Sequence, residues 1–157
     1  MQTKRLYLLG AVGGVAILGL AVWMATDGGG VGGGSPANPN DPDQVARGGA
    51  IYAEACASCH QADLKGEPNW RQPKADGTLP APPHDDSGHT WHHGDHFLFG
   101  YTKFGGKAYA PEGFQSAMPG FEASLSDADI WAVLAFIKSK WSPEARAQQE
   151  RISAQSL

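Results

Sequence analysis

The sequence predicts an all-α protein: one membrane-spanning helix followed by a small helical domain. Three observations lead to this prediction. The chain begins with a long apolar run over residues 6–26, apolar residues recur at spacings of three and four before Cys59, and a second such pattern follows Ser126. Much of the 41% apolar share lies in the first run. The remaining chain would form only a thin core, and a buried cofactor would add the missing apolar volume.

The N-terminal run, residues 6–26, contains 21 residues and no charge. About 20 apolar residues suffice to cross a bilayer as a helix. A cleaved signal peptide usually has a core of roughly 7–15 residues that ends at small residues. Trp23 and Met24 interrupt such a cleavage site here. We therefore expect residues 1–27 to be an uncleaved transmembrane anchor, with a cleaved signal as the alternative.

The charges indicate the orientation of the chain and exclude one class of partner. Lys4 and Arg5 precede the apolar run and should remain on the cytoplasmic side, which places the rest of the chain in the periplasm. After them, ten basic residues stand against sixteen acidic residues, a formal balance of −6. Because an acidic domain repels phosphates, we expect no nucleic-acid partner.

Residues 28–43 have the composition of a linker. The first half is almost entirely glycine and predicts a flexible coil. The second half contains Pro36, Pro39 and Pro42, which favour a stiffer, extended spacer. We expect this segment to tether a domain over residues 44–141 and to keep it close to partners in the same membrane.

The motif Cys56-Ala-Ser-Cys59-His60 predicts covalent attachment of one haem c. Two thiols three residues apart on a helical turn can reach the vinyl groups of a porphyrin, and His60 can then bind the iron. The chain has only these two cysteines, so a disulfide framework is excluded. A zinc site would need two further ligands, which histidines could supply, and a thioredoxin-like pair would need a preceding strand.

Five histidines lie among thirteen residues of the middle segment: His84, His89, His92, His93 and His96. We expect a polar loop that leads into a helix. Two alternatives stay open: a second metal site for copper or zinc, or one histidine as an axial ligand of the haem iron.

Met118 is the candidate for the other axial position, because Met1 is the initiator and Met24 belongs to the apolar run. A thioether opposite the histidine closes the iron site and raises its potential. Pro119 follows directly and would make the loop rigid. The alternative is a methionine that merely fills core.

A helix is predicted after Ser126, which is a favourable N-cap, with Asp127 and Asp129 in the first turn. Its apolar stripe contains Ile130, Leu134 and Ile137. Lys138 and Lys140 suit the C-terminal turn, where a helix attracts positive charge. We expect residues 142–157 to form a short polar helix and tail, capped by Ser142, on the surface.

The run from Gly48 through Tyr52 to the Cys-x-x-Cys-His motif resembles the N-terminal helix of bacterial class I cytochromes c with one haem. The resemblance covers residues 44–141 and extends to the Met118-Pro119 loop. It implies a small fold in which the N- and C-terminal helices cross beside the haem, and Phe136 as the aromatic that contacts the Gly48–Tyr52 helix.

The resemblance also implies how His60 is oriented, and the sequence itself suggests further contacts around the haem. A proline carbonyl, from Pro68, Pro82 or Pro83, should accept the second ring N–H of His60. An indole N–H, from Trp70 or Trp91, should bind a haem propionate. The residues expected to line the pocket are Tyr52, Pro68, Trp70, Pro82, Trp91, Phe97 and Tyr101.

The expected function is electron transport by an iron that cycles between Fe(II) and Fe(III), so the protein is expected to be a carrier and not an enzyme. The resemblance implies a quinol–cytochrome c oxidoreductase as donor and a terminal oxidase or periplasmic reductase as acceptor. Three alternatives remain: a fixed subunit of a respiratory or metal-oxidising complex, a sensor or peroxidase-like enzyme with an open iron, and a copper-linked protein that uses the histidine cluster.

Overall fold

Six α-helices and one 3-10 turn make up the regular structure of the described residues, 36–110 and 112–156, in a computed structural model. In chain order they are α1 (Pro42–Ala55), α2 (Ala57–His60), the 3-10 turn Thr90–His92, α3 (Asp95–Phe104), α4 (Gly106–Tyr109), α5 (Asp127–Ser139) and α6 (Pro143–Gln155). The all-α class is confirmed for this part of the chain. The predicted anchor, residues 1–27, lies outside it, and none of the described helices has the length and hydropathy needed to cross a membrane.

Helix α1 begins earlier than the predicted domain boundary at residue 44. The Asp41 side chain caps the helix by accepting from two backbone N–H groups, and Pro42 occupies the first turn, where its missing N–H costs nothing. Ala37 is 0% exposed. The Gln44 side chain donates to the carbonyl of Pro36 at 2.8 Å. Residues 36–43, predicted as linker, therefore belong to the folded domain.

The crossing of α1 and α5 is the central packing contact. A Cβ atom on Gly48 would lie 1.9 Å from the carbonyl oxygen of Ala132, so only glycine lets the two backbones approach this closely. The rings of Tyr52 and Phe136 pack beside this point with centroids 5.3 Å apart. The predicted packing of the Gly48–Tyr52 helix against Phe136 is confirmed.

The end of α5 differs from the expectation. The sequence predicts that Lys138 interacts with the helix terminus, yet it is 2% exposed and its Nζ lies 3.0 Å and 3.1 Å from the two carboxylate oxygens of Asp95. A long basic side chain that cannot reach water requires a buried anion, and Asp95 on α3 provides it. Gln149 on α6 donates to the same carboxylate at 2.7 Å.

Helix α6 is capped by Ser142, as predicted, but it is more than a surface appendage. Ala145 and Gln149 are buried, and the Gln149 amide also donates to the carbonyl of His93 at 3.2 Å. The helix has no apolar stripe because it is attached mainly through polar contacts, so its sequence gives little sign of packing.

Candidate functional site

The two cysteines lie at the junction of α1 and α2. The Cys56 N–H donates to the carbonyl of Tyr52 and the His60 N–H donates to the carbonyl of Cys56, both at 2.9 Å. This single helical turn places both thiols and the imidazole within five residues. Both cysteines are free; Cys56 is buried and Cys59 is exposed. The turn therefore presents two unpaired thiols for bond formation next to a histidine.

Burial, and then the neighbouring Cys59, raise the pKa of the Cys56 thiol to about 11. The thiol is therefore protonated at neutral pH. A zinc site would need further ligands beside the two cysteines, and no group of three or more His, Cys, Asp or Glu side chains in the described part of the chain is placed to hold a metal ion. A thioether keeps no proton on sulfur and suits the same position.

His60 is buried, and its Nδ1 lies 2.9 Å from the carbonyl oxygen of Pro82. Of the three candidate prolines, Pro68 is exposed and the carbonyl of Pro83 accepts from Thr90 at 3.4 Å. With Nδ1 donating to Pro82, the lone pair of Nε2 is available to a metal. Burial lowers the pKa of His60, which favours the neutral ring that a metal ligand must be.

The Pro82 carbonyl is held by contacts that the sequence did not reveal. The Glu67 N–H donates to the carbonyl of Ala81 at 2.9 Å, and the Ala81 N–H donates back to the Glu67 carboxylate at 2.7 Å. Gly66 has a φ of +67°, and a Cβ there would lie 2.5 Å from the Ala81 carbonyl oxygen. Neither residue belongs to a recognisable motif, so only the path of the loop identifies them.

Tyr52 also fixes the turn that carries the cysteines and His60, through hydrogen bonds from its hydroxyl group. Its hydroxyl donates to the carbonyls of Gln61, at 3.1 Å, and His60, at 3.4 Å. Burial raises the pKa of the phenol, so it remains a donor at physiological pH. Tyr52 thus links α1 to the residue that carries the imidazole.

His84 lies face to face with His60, with ring centroids 3.8 Å apart and planes inclined by 25°. Two ligands on opposite sides of one iron point end-on at the metal, whereas these rings are stacked. The structure therefore does not support His84 as the opposite axial ligand. Burial drives the pKa of His84 well below its ordinary value, and its Nδ1 has no hydrogen-bond partner among the described residues.

The other four histidines of the cluster each pack against an aromatic ring, and two of them, His89 and His93, also contact each other edge to face with centroids 5.5 Å apart. The pairs are His89 with Trp70 (5.3 Å between centroids), His92 with Trp91 (3.7 Å), His93 with Phe97 (4.6 Å) and His96 with Trp131 (6.4 Å). Within residues 36–110 and 112–156, no group of three or more His, Cys, Asp or Glu side chains is placed to hold a metal ion. The geometry gives no support to the second-metal alternative.

The loop that carries Met118 is bound to the end of α3 and the start of α4. The Gly106 N–H donates to the carbonyl of Met118 at 3.1 Å, and the Met118 N–H donates to the Ser116 hydroxyl at 3.2 Å. The same hydroxyl accepts from Tyr101 at 3.0 Å. Tyr101, predicted to line a pocket, is thus joined to the Met118 loop through Ser116, a residue that sequence reasoning did not identify.

Trp70 and Trp91, the two tryptophans expected to bind a haem propionate, have different surroundings. The indole N–H of Trp91 donates to the carbonyl of Asp86 at 3.3 Å, and Trp91 lines a surface hollow together with residues of α6. Trp70 carries the Arg71 guanidinium 3.9 Å above its ring. Phe97 contacts Tyr101, with centroids 5.7 Å apart. The structure therefore brings Phe97 and Tyr101 into contact, whereas the Trp91 indole N–H donates to a backbone carbonyl of its own loop.

These residues fit a covalently bound haem. Two unpaired thiols stand on one turn, an imidazole donates through one nitrogen and leaves the other available, and a methionine lies in a rigid, hydrogen-bonded loop. The predicted ligands Cys56, Cys59 and His60 lie on this one turn, and Met118, whose loop is bound to α3 and α4, would supply the remaining bond to such a group.

Comparison with known families supports the same group. The family model described as Cytochrome c matches residues 45–141, more than half of the chain. A search of curated proteins and a search of solved structures each gave no match. The matched span begins in α1, includes the Cys-x-x-Cys-His turn and the Met118 loop, and ends just after α5. The chain therefore belongs to the cytochrome c family, and it is an electron-transfer protein that carries covalently bound haem c.

Proposed function

We propose that the protein is a one-haem electron shuttle, attached by residues 1–27 to the periplasmic face of a bacterial inner membrane. Cys56 and Cys59 form the two thioether bonds, and His60 and Met118 are the axial ligands. The observation that carries the ligand assignment is the hydrogen bond of His60 Nδ1 to Pro82 beside two free cysteines. A histidine oriented in this way leaves only Nε2 to bind a metal.

The bound haem supplies one-electron exchange between Fe(II) and Fe(III). The chain supplies attachment, orientation and shielding from water. Attachment adds each cysteine S–H across a vinyl double bond: sulfur bonds to one carbon, the hydrogen goes to the other, and no oxidant is consumed. Pro82 fixes the imidazole, and the contacts of Ser116 and Gly106 hold the loop of the weak thioether ligand.

The surface beside the Met118 loop supports a carrier role. Among the described residues, the exposed large apolar side chains are Phe104, Tyr109 and Phe114. Phe104 lies against this loop, since a Cβ on Gly120 would be 2.8 Å from the Phe104 backbone. Exposed apolar patches on a small protein commonly mark a contact surface. We propose that a quinol–cytochrome c oxidoreductase and a terminal oxidase or periplasmic reductase dock here in turn.

Tethering is proposed from the sequence. An apolar run of 21 residues without charge precedes a glycine-rich segment, and Lys4 and Arg5 stand before it. This order predicts an anchor, a tether and a periplasmic domain. A tethered carrier keeps a high local concentration near partners in the same membrane.

The test compares the full chain with a variant in which a cleavable signal peptide replaces residues 1–27, with both proteins matured in a bacterial host. We expect haem-stained full-length protein in the membrane fraction and the variant in the soluble periplasm. Both should give the spectrum of low-spin haem with His–Met ligation. Full-length protein that is released without detergent would contradict the tether.

Blue-native electrophoresis of gently solubilised membranes then separates a shuttle from a fixed subunit. A shuttle migrates as a single small species. Stable migration with a large respiratory or metal-oxidising complex would instead support the fixed-subunit alternative.

A further inference from the structure

We infer that His84 is a positioning residue for the axial imidazole, acting by ring stacking against His60. This inference rests on the proposed assignment of His60 as an iron ligand. The two rings lie 3.8 Å apart between centroids with an interplanar angle of 25°, close enough for direct face contact.

A hydrogen bond and a stacked ring restrict different motions of the imidazole. The bond from Nδ1 to the Pro82 carbonyl holds one edge of the ring, but a hydrogen bond tolerates some tilting of the ring out of its own plane. A flat side chain against the face of the ring resists that tilting. Pro82 and His84 are two residues apart, so one segment of backbone supplies both restraints.

The backbone of His84 is itself held on both sides. Its N–H donates to the carbonyl of Leu64 at 2.8 Å, and its carbonyl accepts from the indole of Trp141 at 2.7 Å. Leu64 lies in the loop just after His60, and Trp141 follows α5. The position of the His84 ring is therefore tied to the domain core and does not depend on the His60 contact alone.

The stability of the fold does not explain why a histidine, His84, occupies this position. The buried Nδ1 of His84 lacks a hydrogen-bond partner among the described residues, and an unpaired buried polar atom costs about 1–3 kcal/mol. Leucine would fill similar space without that cost, but it has no flat face. A flat aromatic side chain at a site where its nitrogen is destabilising indicates that the ring face is the functional feature.

The test uses the matured holoprotein with His84→Phe, which keeps a flat ring, and His84→Leu, which removes it. The readouts are the electron paramagnetic resonance g-values of the ferric haem and its paramagnetically shifted haem-methyl NMR signals. Both report the orientation of the axial imidazole plane. We expect wild-type spectra from His84→Phe and altered g-values with a changed order of methyl shifts from His84→Leu.

Unchanged spectra in His84→Leu would overturn the inference, and so would an equal change in both variants. If His84→Leu does not fold, Trp141→Phe replaces it, because it removes the indole donor to His84 while it keeps an aromatic ring. A smaller spectral change is then expected, and no change overturns the inference. A wild-type protein without low-spin His-ligated haem would instead contradict the proposed function, so the two failures are distinguishable.

Discussion

The residues expected to bind the haem are held in place in two different ways. Cys56, Cys59 and His60 lie in one turn and are fixed by local backbone hydrogen bonds. Met118 lies 58 residues away in sequence and is a weak ligand, so its loop must supply the rigidity. The contacts of its N–H with Ser116 and of its carbonyl with Gly106 supply that rigidity.

Removal of the thioether should leave the haem attached but open the iron. We expect Met118→Ala to lower the reduction potential by on the order of 0.2 V, part of the roughly 0.8 V range that axial ligands give to haem. Carbon monoxide should then bind rapidly. Met118→His is the matched control, since a second imidazole should lower the potential but keep the iron closed. Redox titration and carbon monoxide binding measure both effects, and an unchanged potential in Met118→Ala would refute the axial role.

We expect Gly66 to be required both for its positive φ angle and because a Cβ atom has no space there. A comparison with a second glycine separates the two reasons. Gly66→Ala combines a positive φ with a Cβ 2.5 Å from the Ala81 carbonyl oxygen, next to Pro82. Gly113 also has a positive φ, of +83°, but nothing lies within 4 Å of its Cβ position. We expect Gly113→Ala to lower the free energy of unfolding by about 1 kcal/mol and Gly66→Ala by about 3 kcal/mol or more.

Urea unfolding of the holoprotein measures both variants. Only Gly66→Ala should also shift the haem spectrum, because it displaces the acceptor of His60. Equal losses of stability in the two variants would show that the Gly66 contact with Ala81 is unimportant.

The sequence identifies the site residues that lie in short local motifs. It does not identify those whose position depends on the path of a loop. The motif identified His60, and elimination among three methionines identified Met118. The choice of Pro82 over Pro68 could not be made, because the carbonyl approaches the ring from 22 residues away. The sequence predicts that an acceptor is needed, but it does not say which loop brings one.

At the scale of helices, capping residues explain where the three longest helices, α1, α5 and α6, begin. Ser126 and Asp129 form a reciprocal capping box at the start of α5, and Ser142 caps α6. Asp41 and Pro42 start α1 by the same rules, although the proline-rich composition of that segment suggested linker. A local start signal therefore outweighs composition at this boundary.

Asp129 predicts a pH dependence. The hydrogen bond from Ser126, and then Arg47, lower the pKa of Asp129. A carboxyl with a lowered folded-state pKa stabilises the fold above its unfolded pKa, and the contribution disappears as pH falls through the folded-state value. We expect Asp129→Asn to lower the free energy of unfolding by about 0.5–1 kcal/mol at pH 7.

The difference between the Asp129→Asn variant and wild type should shrink as the pH falls from about 4, near the ordinary pKa of an aspartate, through the lowered folded-state pKa at which wild-type Asp129 becomes protonated. Thermal unfolding at a series of pH values measures it. Glu122→Gln, a change at an exposed acid, is the control and should have little effect. A difference that stays constant down to pH 2 would contradict the assignment.

At the scale of the whole molecule, a buried polar group joins three helices. Asp95 on α3 accepts from Lys138 on α5 and from Gln149 on α6, across sequence separations of 43 and 54 residues. No pattern within a single helix predicts such a contact. The sequence suggests a surface position for α6 and an interaction of Lys138 with the end of its own helix, and only the assembled fold shows their common partner.

This network predicts a large asymmetry between single and double variants. Lys138→Met leaves the Asp95 carboxylate buried without its cation and should lower the free energy of unfolding by about 3–5 kcal/mol. Lys138→Met combined with Asp95→Asn removes both charges, keeps an acceptor for Gln149, and should recover at least half of that loss. Urea unfolding of the two proteins gives the comparison. A loss below about 1 kcal/mol in the single variant, or no recovery in the double variant, would contradict the buried ion pair.

The central claim is that Cys56 and Cys59 hold one haem through covalent bonds, and acid–acetone extraction of the purified, matured protein tests it most directly. We predict that the colour stays with the precipitated polypeptide, and that protease digestion yields a single haem-bearing peptide spanning residues 56–60. Replacement of both cysteines by serine should transfer the colour to the solvent. Release of the haem from the unaltered protein into the acetone would contradict the account.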